Sequence, residues 1–372
     1  MSLDRTVNVF FGEHGCGKTT LLKILQSALS QDGDAMIGLP VERAEVDIYS
    51  VTDQKVIPHV WDRKNTGRQN DLPLEMLRTF RDSDLTTFER EQYLSLRNSA
   101  SEWKIVGTRK NKEPKKRWAH CFLPTTRLYN TDPTRRGVEQ RTNTEDRLNE
   151  AFAESVNKRW LLYYTQILQE VRNIQEEGLR AVLYHSLSLN SDAPVGPTLN
   201  PVQAYDRVKK FLARQSAQDV GLLGSTKVFA GRYATDEALR RVVNNINNVE
   251  SRIEASMAPI QKFTGTIDSL FSRNKRLQTL DNGLAVALED GKIITPAQLS
   301  SGEKHLLVIL LNAMTANENS VIIDEPELSM HIDWQHALTE AIVRLNPRCQ
   351  VILASHSPEI MANVPDEKIF RI

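Results

Sequence analysis

The feature that most constrains this chain is a glycine-rich stretch near its start, Gly12–Thr19 (GEHGCGKT). It follows a β-branched and aromatic run at 6–11 and precedes leucines at helical spacing within 20–29. Glycines let the backbone curl until its N–H groups converge on an anion, and the N-terminus of the next helix adds partial positive charge. The stretch therefore predicts a strand, a phosphate-binding loop and a helix.

Two side chains of this loop have defined roles in such a pattern. Lys18 is expected to reach the β- and γ-phosphates of a nucleotide, and the Thr19 hydroxyl to ligate Mg²⁺. The predicted nucleotide-binding residues of the loop are Gly12, Glu13, His14, Gly15, Cys16, Gly17, Lys18, Thr19 and Thr20.

Length and composition limit the possible classes. A chain of 372 residues exceeds the usual size of one core, so we expect two lobes or a domain with an insertion. The 47 basic and 47 acidic residues give no net charge, so any nucleic-acid or membrane binding needs a local patch. Three scattered cysteines suit a reducing compartment. The longest apolar run, 306–311, is too short to span a bilayer, and no signal peptide precedes the first strand, so we expect a cytoplasmic protein.

A basic segment follows the N-terminal region. Residues 104–141 contain eleven Lys or Arg against three acids, and the stretches 105–108 and 118–123 are predicted to pair as a hairpin. Contact with a DNA backbone, a solvated hairpin tip and arginines that face the nucleotide are all compatible with this charge. The candidate nucleic-acid contacts are Arg109, Lys110, Lys112, Lys115, Lys116 and Arg117.

The middle of the chain is predicted to be helical, as is the charged stretch 75–98. Apolar residues recur at three- or four-residue steps over 144–186 and again over 235–280, on either side of a polar break and a short helix at 202–215. This pattern predicts an antiparallel helical insertion, either a short arm or ordinary core helices of a lobe. The predicted division is 1–143 for the N-terminal part of the head, 144–280 for the insertion and 281–372 for the C-terminal part.

The C-terminal part contains the remaining chemistry. Ser300 and Glu303 form a capping box before an apolar helix at 306–316. An apolar strand ends in Asp324, expected to hold Mg²⁺, and Glu325, expected to polarise a water for attack on the γ-phosphate. A second apolar strand at 350–354 precedes His356, expected to donate a hydrogen bond to that phosphate.

These motifs, in this order, resemble those of ABC-type ATPases of the SMC, RecF and OLD-like branch, which includes bacterial anti-phage and DNA-repair proteins. The loop matches Walker A, Leu299–Lys304 the signature motif, Val321–Glu325 Walker B and His356 the switch histidine. His331 stands where transporters have an aspartate, which favours this branch. The resemblance implies an α/β P-loop ABC-ATPase head with a mixed β sheet and a helical insertion.

The resemblance also implies how the site would work. ATP and Mg²⁺ would lie between two chains, so that Ser300, Ser301, Gly302 and Glu303 of one chain face the nucleotide of the other in a homodimer or higher oligomer. Lys18, Glu325 and His356 would be the catalytic residues. The sequence departs from the family in that no Q-loop glutamine is assigned; at the corresponding strand end, Phe122–Arg127, Arg127 is a candidate to face the phosphates instead.

Three functions remain compatible with the sequence. The first is an ATPase that controls a partner effector, a nuclease or toxin, in anti-phage defence; because no nuclease motif is recognised, this effector is expected to be a separate protein. The second is a DNA-repair or chromosome-maintenance ATPase that binds DNA through 104–141. The third is an ATP-gated scaffold with negligible turnover.

Overall fold

The computed structural model describes residues 1–63, 103–105, 118–125, 144–187, 199–215, 221, 223–271, 274–280 and 283–372. They form two compact units, one of Met1–Phe152 with Ile294–Ile372 and one of Ala153–Ile293. The predicted helix at 75–98 lies outside the described residues, and the predicted three-part division of the chain stays a prediction. None of the helices in the described ranges is both long enough and apolar enough to cross a membrane.

The first unit is built on a parallel sheet. Across the sheet, its strands lie in the order β11 (Ile369–Arg371), β1 (Val7–Phe11), β10 (Val351–Ser355), β9 (Ser320–Asp324) and β5 (His120–Leu123), and each described pairing in it is parallel. The strands of the chain are β1 (Val7–Phe11), β2 (Arg43–Ser50), β3 (Lys55–Asp62), β4 (Lys104–Ile105), β5 (His120–Leu123), β6 (Lys275–Leu280), β7 (Gly283–Leu288), β8 (Ile293–Ile294), β9 (Ser320–Asp324), β10 (Val351–Ser355) and β11 (Ile369–Arg371).

The α-helices lie between and after these strands along the described part of the chain. They are α1 (Lys18–Ser30), α2 (Asp34–Ile37), α3 (Thr144–Leu187), α4 (Pro201–Gln215), α5 (Thr226–Thr235), α6 (Glu237–Leu270), α7 (Ser301–Thr315), α8 (Ile332–Leu345) and α9 (Pro358–Met361). The predicted α/β class is confirmed, and the antiparallel pairings β2–β3, β3–β4 and β6–β7 lie in two smaller sheets.

The register of the central sheet brings its motifs to one edge. Phe11 of β1 is opposite Ser355 of β10, and Ala354 is opposite Asp324 of β9. Leu123 of β5 is opposite Ile323, so this strand ends beside β9. Because all these strands are parallel, the loops that leave their carboxyl ends meet at the same edge, which is where ligands bind in open α/β sheets.

The strands of this sheet are almost continuously apolar because both of their faces are covered. Phe10, Leu22, Ile322 and Ile352 form one buried cluster between the sheet and α1. On α7, the buried side chains include Leu306, Leu307, Ile309, Leu310 and Leu311. Each such side chain contributes about 1.5–3 kcal/mol when it leaves water, so the core holds the sheet edge in place.

The predicted hairpin of 105–108 with 118–123 is wrong. Ile105 pairs with His59 of β3 in a three-stranded sheet, whereas His120–Leu123 pairs with β9 in the central sheet. Trp103, just before β4, is buried in a separate cluster with Trp61. The strand His120–Leu123 is half-buried, with Leu123 buried, and it forms one edge of the central sheet instead of pairing with its neighbour in sequence.

The second unit contains two long helices that run antiparallel. Trp160 of α3 stacks on Phe263 of α6 with ring centroids 5.8 Å apart. Further along α3, Ile174 packs with Val249 and Ile253 of α6, so rising numbers on one helix meet falling numbers on the other. The helical segments predicted at 144–186 and 202–215 are observed as α3 and α4.

The second predicted helical stretch, 235–280, is partly wrong. A break at Asp236 separates α5 from α6, and the Asp236 side chain accepts a hydrogen bond from Leu239 N at 3.1 Å. The helix continues through Pro259 and ends at Leu270. Residues 275–280 form β6, antiparallel to β7, because Leu277 is buried between exposed neighbours as a strand requires.

Candidate functional site

The glycine-rich loop connects β1 to α1. Gly15 and Gly17 have φ of +83° and +102°, in the left-handed region that favours glycine. At Gly12, a Cβ atom would lie 2.6 Å from Cys16 Sγ and 2.7 Å from Ile372 O, so a larger residue there would displace its neighbours. The helix α1 begins at Lys18, directly after the turn. The predicted strand, turn and helix are therefore observed in this order.

The Lys18 side chain is buried against the loop. Its Nζ donates hydrogen bonds to Gly12 O and Glu13 O, each at 2.8 Å. These bonds hold the ammonium group beside the backbone that is predicted to cradle phosphate. Glu13 and His14 are exposed in the loop, and Thr20 lies in the first turn of α1.

Thr19 and Asp324 meet although 305 residues separate them. Thr19 Oγ1 donates a hydrogen bond to Asp324 Oδ2 at 2.8 Å, and Thr125 Oγ1 donates to the same oxygen at 3.1 Å. A hydroxyl and a buried carboxylate are hard oxygen donors of the type that Mg²⁺ selects. The donor set at this point fits a magnesium ion, with Thr19 and Asp324 as the residues that would hold it.

Glu325 follows β9 in an unusual backbone conformation. Its φ is +48°, in the left-handed region, and its N–H donates to Ala354 O of β10 at 2.9 Å. A non-glycine residue in this region costs about 1–2 kcal/mol, and such strain often accompanies functional positions. The Glu325 carboxylate Oε1 lies 3.8 Å from His14 Nδ1 of the loop.

His356 lies at the end of β10 and joins the same group. Its ring centroid is 4.2 Å from that of His14, with 50° between the ring planes. The Glu327 carboxylate lies behind it: Oε1 accepts hydrogen bonds from Ser355 Oγ and His356 N, each at 2.8 Å, and lies 3.0 Å from His356 Nδ1. The Glu327 side chain is 5% exposed. Glu327 therefore fixes the position of the histidine.

The capping box predicted at the start of α7 is observed. Ser300 N donates to Glu303 Oε2 at 2.9 Å, and Glu303 N donates to Ser300 Oγ at 3.4 Å. Ser300 and Ser301 are exposed, whereas Gly302 and Glu303 are buried. A Cβ atom on Gly302 would lie less than 3.0 Å from Ser329 O, so this glycine permits close packing on the turn after β9.

The last residue of the signature motif, Lys304, is buried in the same unit. Its Nζ donates to Asn149 Oδ1 at 2.5 Å and lies 5.7 Å from the centre of the Phe152 ring. Burial lowers the pKa of Lys304, and the charge of Glu145 opposes this shift. The signature thus joins α7 to the first turns of α3.

The structure thus brings together Thr19, Asp324 and Thr125, and also His14, Glu325 and His356. The signature residues Ser300, Ser301, Gly302 and Glu303 take no part in these contacts, and their predicted role towards a second chain stays a prediction. The candidate nucleic-acid residues and Arg127 lie outside the described part of the chain: Arg109, Lys110, Lys112, Lys115, Lys116 and Arg117.

The sequence did not single out Thr125 or Glu327. The only signal for Glu327 was its place beside Asp324 and Glu325, since its partners Ser355 and His356 are 28 and 29 residues further along the chain. For Thr125, the sequence placed the strand end Phe122–Arg127 near the phosphates but singled out Arg127 in it.

Part of this chain is similar in sequence to a probable ATPase of a bacterial retron. The chain is 30% identical over 141 residues to the "Retron Vc95 probable ATPase" of Vibrio cholerae serotype O1 biovar El Tor. That match covers 34% of this chain and 27% of the relative, so it spans about a quarter of the relative's length.

Among solved structures, the chain is similar to an Smc head domain with an extended coiled coil bound to the C-terminal domain of ScpA, from Pyrococcus furiosus. The TM-score is 0.43 at 12% identity, over 98% of this chain and 86% of that one. A second Smc head, bound to the C-winged helix domain of ScpA, has a TM-score of 0.42 at 10% identity, over the same shares of the two chains.

A family model described as "AAA domain, putative AbiEii toxin, Type IV TA system" matches residues 7–362, which include every motif discussed above. The match bears out the P-loop ATPase that the four motifs predicted. The chain therefore belongs to this AAA family of P-loop ATPase domains.

Proposed function

We propose that this protein binds and hydrolyses ATP with Mg²⁺, that two copies complete each site, and that closing and opening of the dimer controls a partner effector in bacterial anti-phage defence. The observation that supports nucleotide chemistry most directly is the 2.8 Å hydrogen bond between Thr19 Oγ1 and Asp324 Oδ2. It joins the phosphate loop to the end of β9 at the sheet edge where ligands bind in such folds.

Each residue has a role that follows from its position. The loop N–H groups and Lys18 bind the phosphates, while Thr19 and Asp324 hold the magnesium ion. The bound ion neutralises charge on the phosphate oxygens. Glu325 accepts a proton from the attacking water, and His356 donates a hydrogen bond to the γ-phosphate while Glu327 keeps its ring in position.

The dimer follows from the number of motifs. The chain has one phosphate loop and one signature motif, and Ser300 and Ser301 are exposed at the start of α7. In the proposed arrangement, the signature of each copy faces the nucleotide held by the other. This arrangement is a closed two-fold pair, in which both sites are equivalent.

Two names support the proposed biological role. The relative from Vibrio cholerae is called a probable ATPase of a retron, and the description of the family refers to a toxin and a type IV TA system. We therefore propose a nuclease or toxin as the partner whose activity depends on the nucleotide state of this protein. Co-purification from the native host, with and without Glu325→Gln, tests this part.

A complementation experiment tests whether the site is shared. Lys18→Ala removes the phosphate contact, and Ser301→Arg places a bulky side chain at the exposed start of α7. Each variant alone is expected to lose turnover. In the mixture, each dimer that combines both chains contains one intact site, so turnover returns, to at most about half of the wild-type rate. A mixture as inactive as its components would contradict the shared site.

A second experiment tests hydrolysis itself. Glu325→Gln keeps the shape of the side chain but removes the base, so phosphate release should fall by about 10²–10⁴-fold. This variant should retain ATP and stay dimeric on size-exclusion chromatography, whereas Lys18→Ala should stay monomeric. A Glu325→Gln protein with undiminished turnover would contradict the assigned base. Negligible wild-type turnover would favour the ATP-gated scaffold, and salt-dependent DNA binding would favour the repair function.

A further inference from the structure

Three side chains beside the phosphate loop form a cluster, and one of them, His14, has no role in the ATPase motifs. His14, Glu325 and His356 each offer one ligand atom, and these atoms lie within 4.8 Å of one another. His14 Nδ1 is 3.8 Å from Glu325 Oε1, and the rings of His14 and His356 are 4.2 Å apart. Since His14 occupies an unrestricted position of the Gly-x-x-x-x-Gly-Lys pattern, phosphate binding alone does not explain a histidine there.

The donor set differs from that of the magnesium site. Thr19 and Asp324 offer oxygens, whereas this cluster offers two imidazole nitrogens and one carboxylate. Imidazole suits zinc, cobalt and nickel, and two histidines with one carboxylate recur in zinc sites that keep a fourth position open. With metal–ligand bonds of about 2.0–2.2 Å, neighbouring ligand atoms lie about 3–3.5 Å apart, so the observed spacing requires only a small closure.

A second carboxylate, that of Glu327, contacts the His356 ligand through Nδ1 and the backbone N–H. His356 Nδ1 lies 3.0 Å from Glu327 Oε1 without the geometry of a hydrogen bond. A rotation of the ring would let Nδ1 donate to this carboxylate and leave Nε2 as the ligand atom. Ser355 Oγ and His356 N hold this buried carboxylate in place. A carboxylate behind the imidazole is the usual outer partner of a metal-bound histidine, because it sets the tautomer and ring orientation.

The cluster is also accessible. The His14 side chain is 73% exposed and that of His356 is 37% exposed, so an ion reaches the ligands from solvent without opening the core. The Glu325 side chain is 21% exposed.

We infer that His14, Glu325 and His356 bind a transition-metal ion of the Zn²⁺ type, and that its binding inhibits the protein. The inhibition half of this inference rests on the proposed function, because the ion would occupy the two groups assigned to water activation and γ-phosphate contact. The binding half depends only on the three side chains.

Direct titration tests the binding half. Nucleotide-free full-length protein is titrated with Zn²⁺ against a chromophoric chelator, and with Co²⁺ to read coordination geometry from its visible absorption. His14→Ala and Glu325→Gln should each weaken Zn²⁺ binding by more than about tenfold and remove the intense Co²⁺ bands of a four- or five-coordinate site. The matched control is His336→Ala, which removes another exposed histidine near a carboxylate, with Nδ1 3.5 Å from Glu359 Oε2.

The outcomes are distinct. Loss of binding in His14→Ala and Glu325→Gln, with His336→Ala like wild type, supports the site. Equal Zn²⁺ affinity in wild type and His14→Ala, or an equal loss in the control, overturns it.

Turnover under buffered free Zn²⁺ with saturating Mg²⁺ and ATP then tests inhibition. Zn²⁺ should slow wild type and spare whatever turnover His14→Ala retains, and equal inhibition of both overturns the inhibition half. A wild type without turnover in any metal would count against the proposed function and against inhibition, while the titration still decides binding.

Discussion

A glycine of one long helix packs against a valine of the other, and this contact gives a quantitative prediction. Gly178 of α3 is buried against Val249 of α6. A Cβ atom on Gly178 would lie less than 3.0 Å from Val249 Cγ2 and 3.4 Å from its Cβ and Cγ1. Valine has one strongly preferred rotamer in a helix, so it has no inexpensive way to move aside. Gly178→Ala must therefore separate the helices locally.

The magnitude follows from a matched pair of substitutions. Overpacking of this kind costs about 1–3 kcal/mol, whereas alanine is favoured over glycine within a helix by about 1 kcal/mol. Gly265 lies in α6 of the same unit, and a Cβ atom there meets nothing within 4 Å. Gly265→Ala should thus raise the free energy of unfolding. The difference between the two variants isolates the clash, at about 1–3 kcal/mol.

The assay is urea denaturation followed by far-UV circular dichroism, with Val249→Ala as a third variant. Val249→Ala alone should cost about 2 kcal/mol, because it removes two buried methyl groups. Combined with Gly178→Ala it should cost less than the sum by about 1–3 kcal/mol, since the new methyl group occupies the vacated space. Equal unfolding free energies for Gly178→Ala and Gly265→Ala, or strict additivity in the double variant, would refute the reasoning.

Three further predictions concern the first unit. Ser355→Ala should lower the free energy of unfolding by about 2–3 kcal/mol, because Ser355 Oγ donates to Glu327 and accepts from Ser357 N at 3.0 Å; exposed Ser301→Ala is the control. Gly302→Ala should lower the melting temperature of the nucleotide-free protein, because the new Cβ atom would meet the backbone oxygen of Ser329. The expected loss in the free energy of unfolding is about 1–3 kcal/mol. Hydrogen bonds from Thr6, with a contribution from Lys368, lower the pKa of Asp4 to about 2 from 3.8. The ionised Asp4 therefore stabilises the fold above pH 3.8, and this stabilisation is lost as the pH falls towards 2. Because the site is exposed, its contribution to the free energy of unfolding is under about 1 kcal/mol. Asp4→Asn should remove this part of the acid dependence when denaturation is measured as a function of pH.

The strand ends were the part of the site that the sequence predicted well. Apolar runs that end in Asp324 or precede His356 are short, almost continuous and followed by polar residues, as buried parallel strands require. Once the strands are parallel, their carboxyl ends share one edge. The convergence of Thr19 with Asp324 therefore follows from local pattern and sheet geometry together.

The two incorrect predictions, the hairpin at 118–123 and the end of α6, arose where the local sequence pattern does not determine which strand a segment pairs with. His120–Leu123 is a four-residue strand, and nothing in four residues distinguishes a hairpin partner from β9. The end of α6 was missed because 271–280 contains neither Pro nor Gly, so no residue signalled the change from helix to strand. Both errors concern tertiary choice, in which burial on a sheet outweighs proximity along the chain.

The turn after β9 links the two halves of the proposed mechanism. On one side, Glu325 lies beside His14 and Glu327 holds His356. On the other, His305 Nδ1 of α7 lies 2.5 Å from Leu328 O, and Gly302 packs on the next residue of the turn. Backbone bonds from Leu328 N to Glu325 O and from Met330 N to Glu327 O keep the turn compact, at 3.3 Å and 3.0 Å.

This connection has a mechanical consequence. Because a compact turn moves as one piece, a displacement of Glu325 or Glu327 should also move the carbonyl groups on which the start of α7 rests. The start of α7 carries Ser300 and Ser301, the residues proposed to face the second chain. Loss of the γ-phosphate contact at His356 would then loosen the dimer through Glu327 and the turn, without a separate hinge. A bulkier residue at Gly302 should weaken ATP-dependent dimerisation, measured by size-exclusion chromatography, while the site at Thr19 and Asp324 still binds nucleotide.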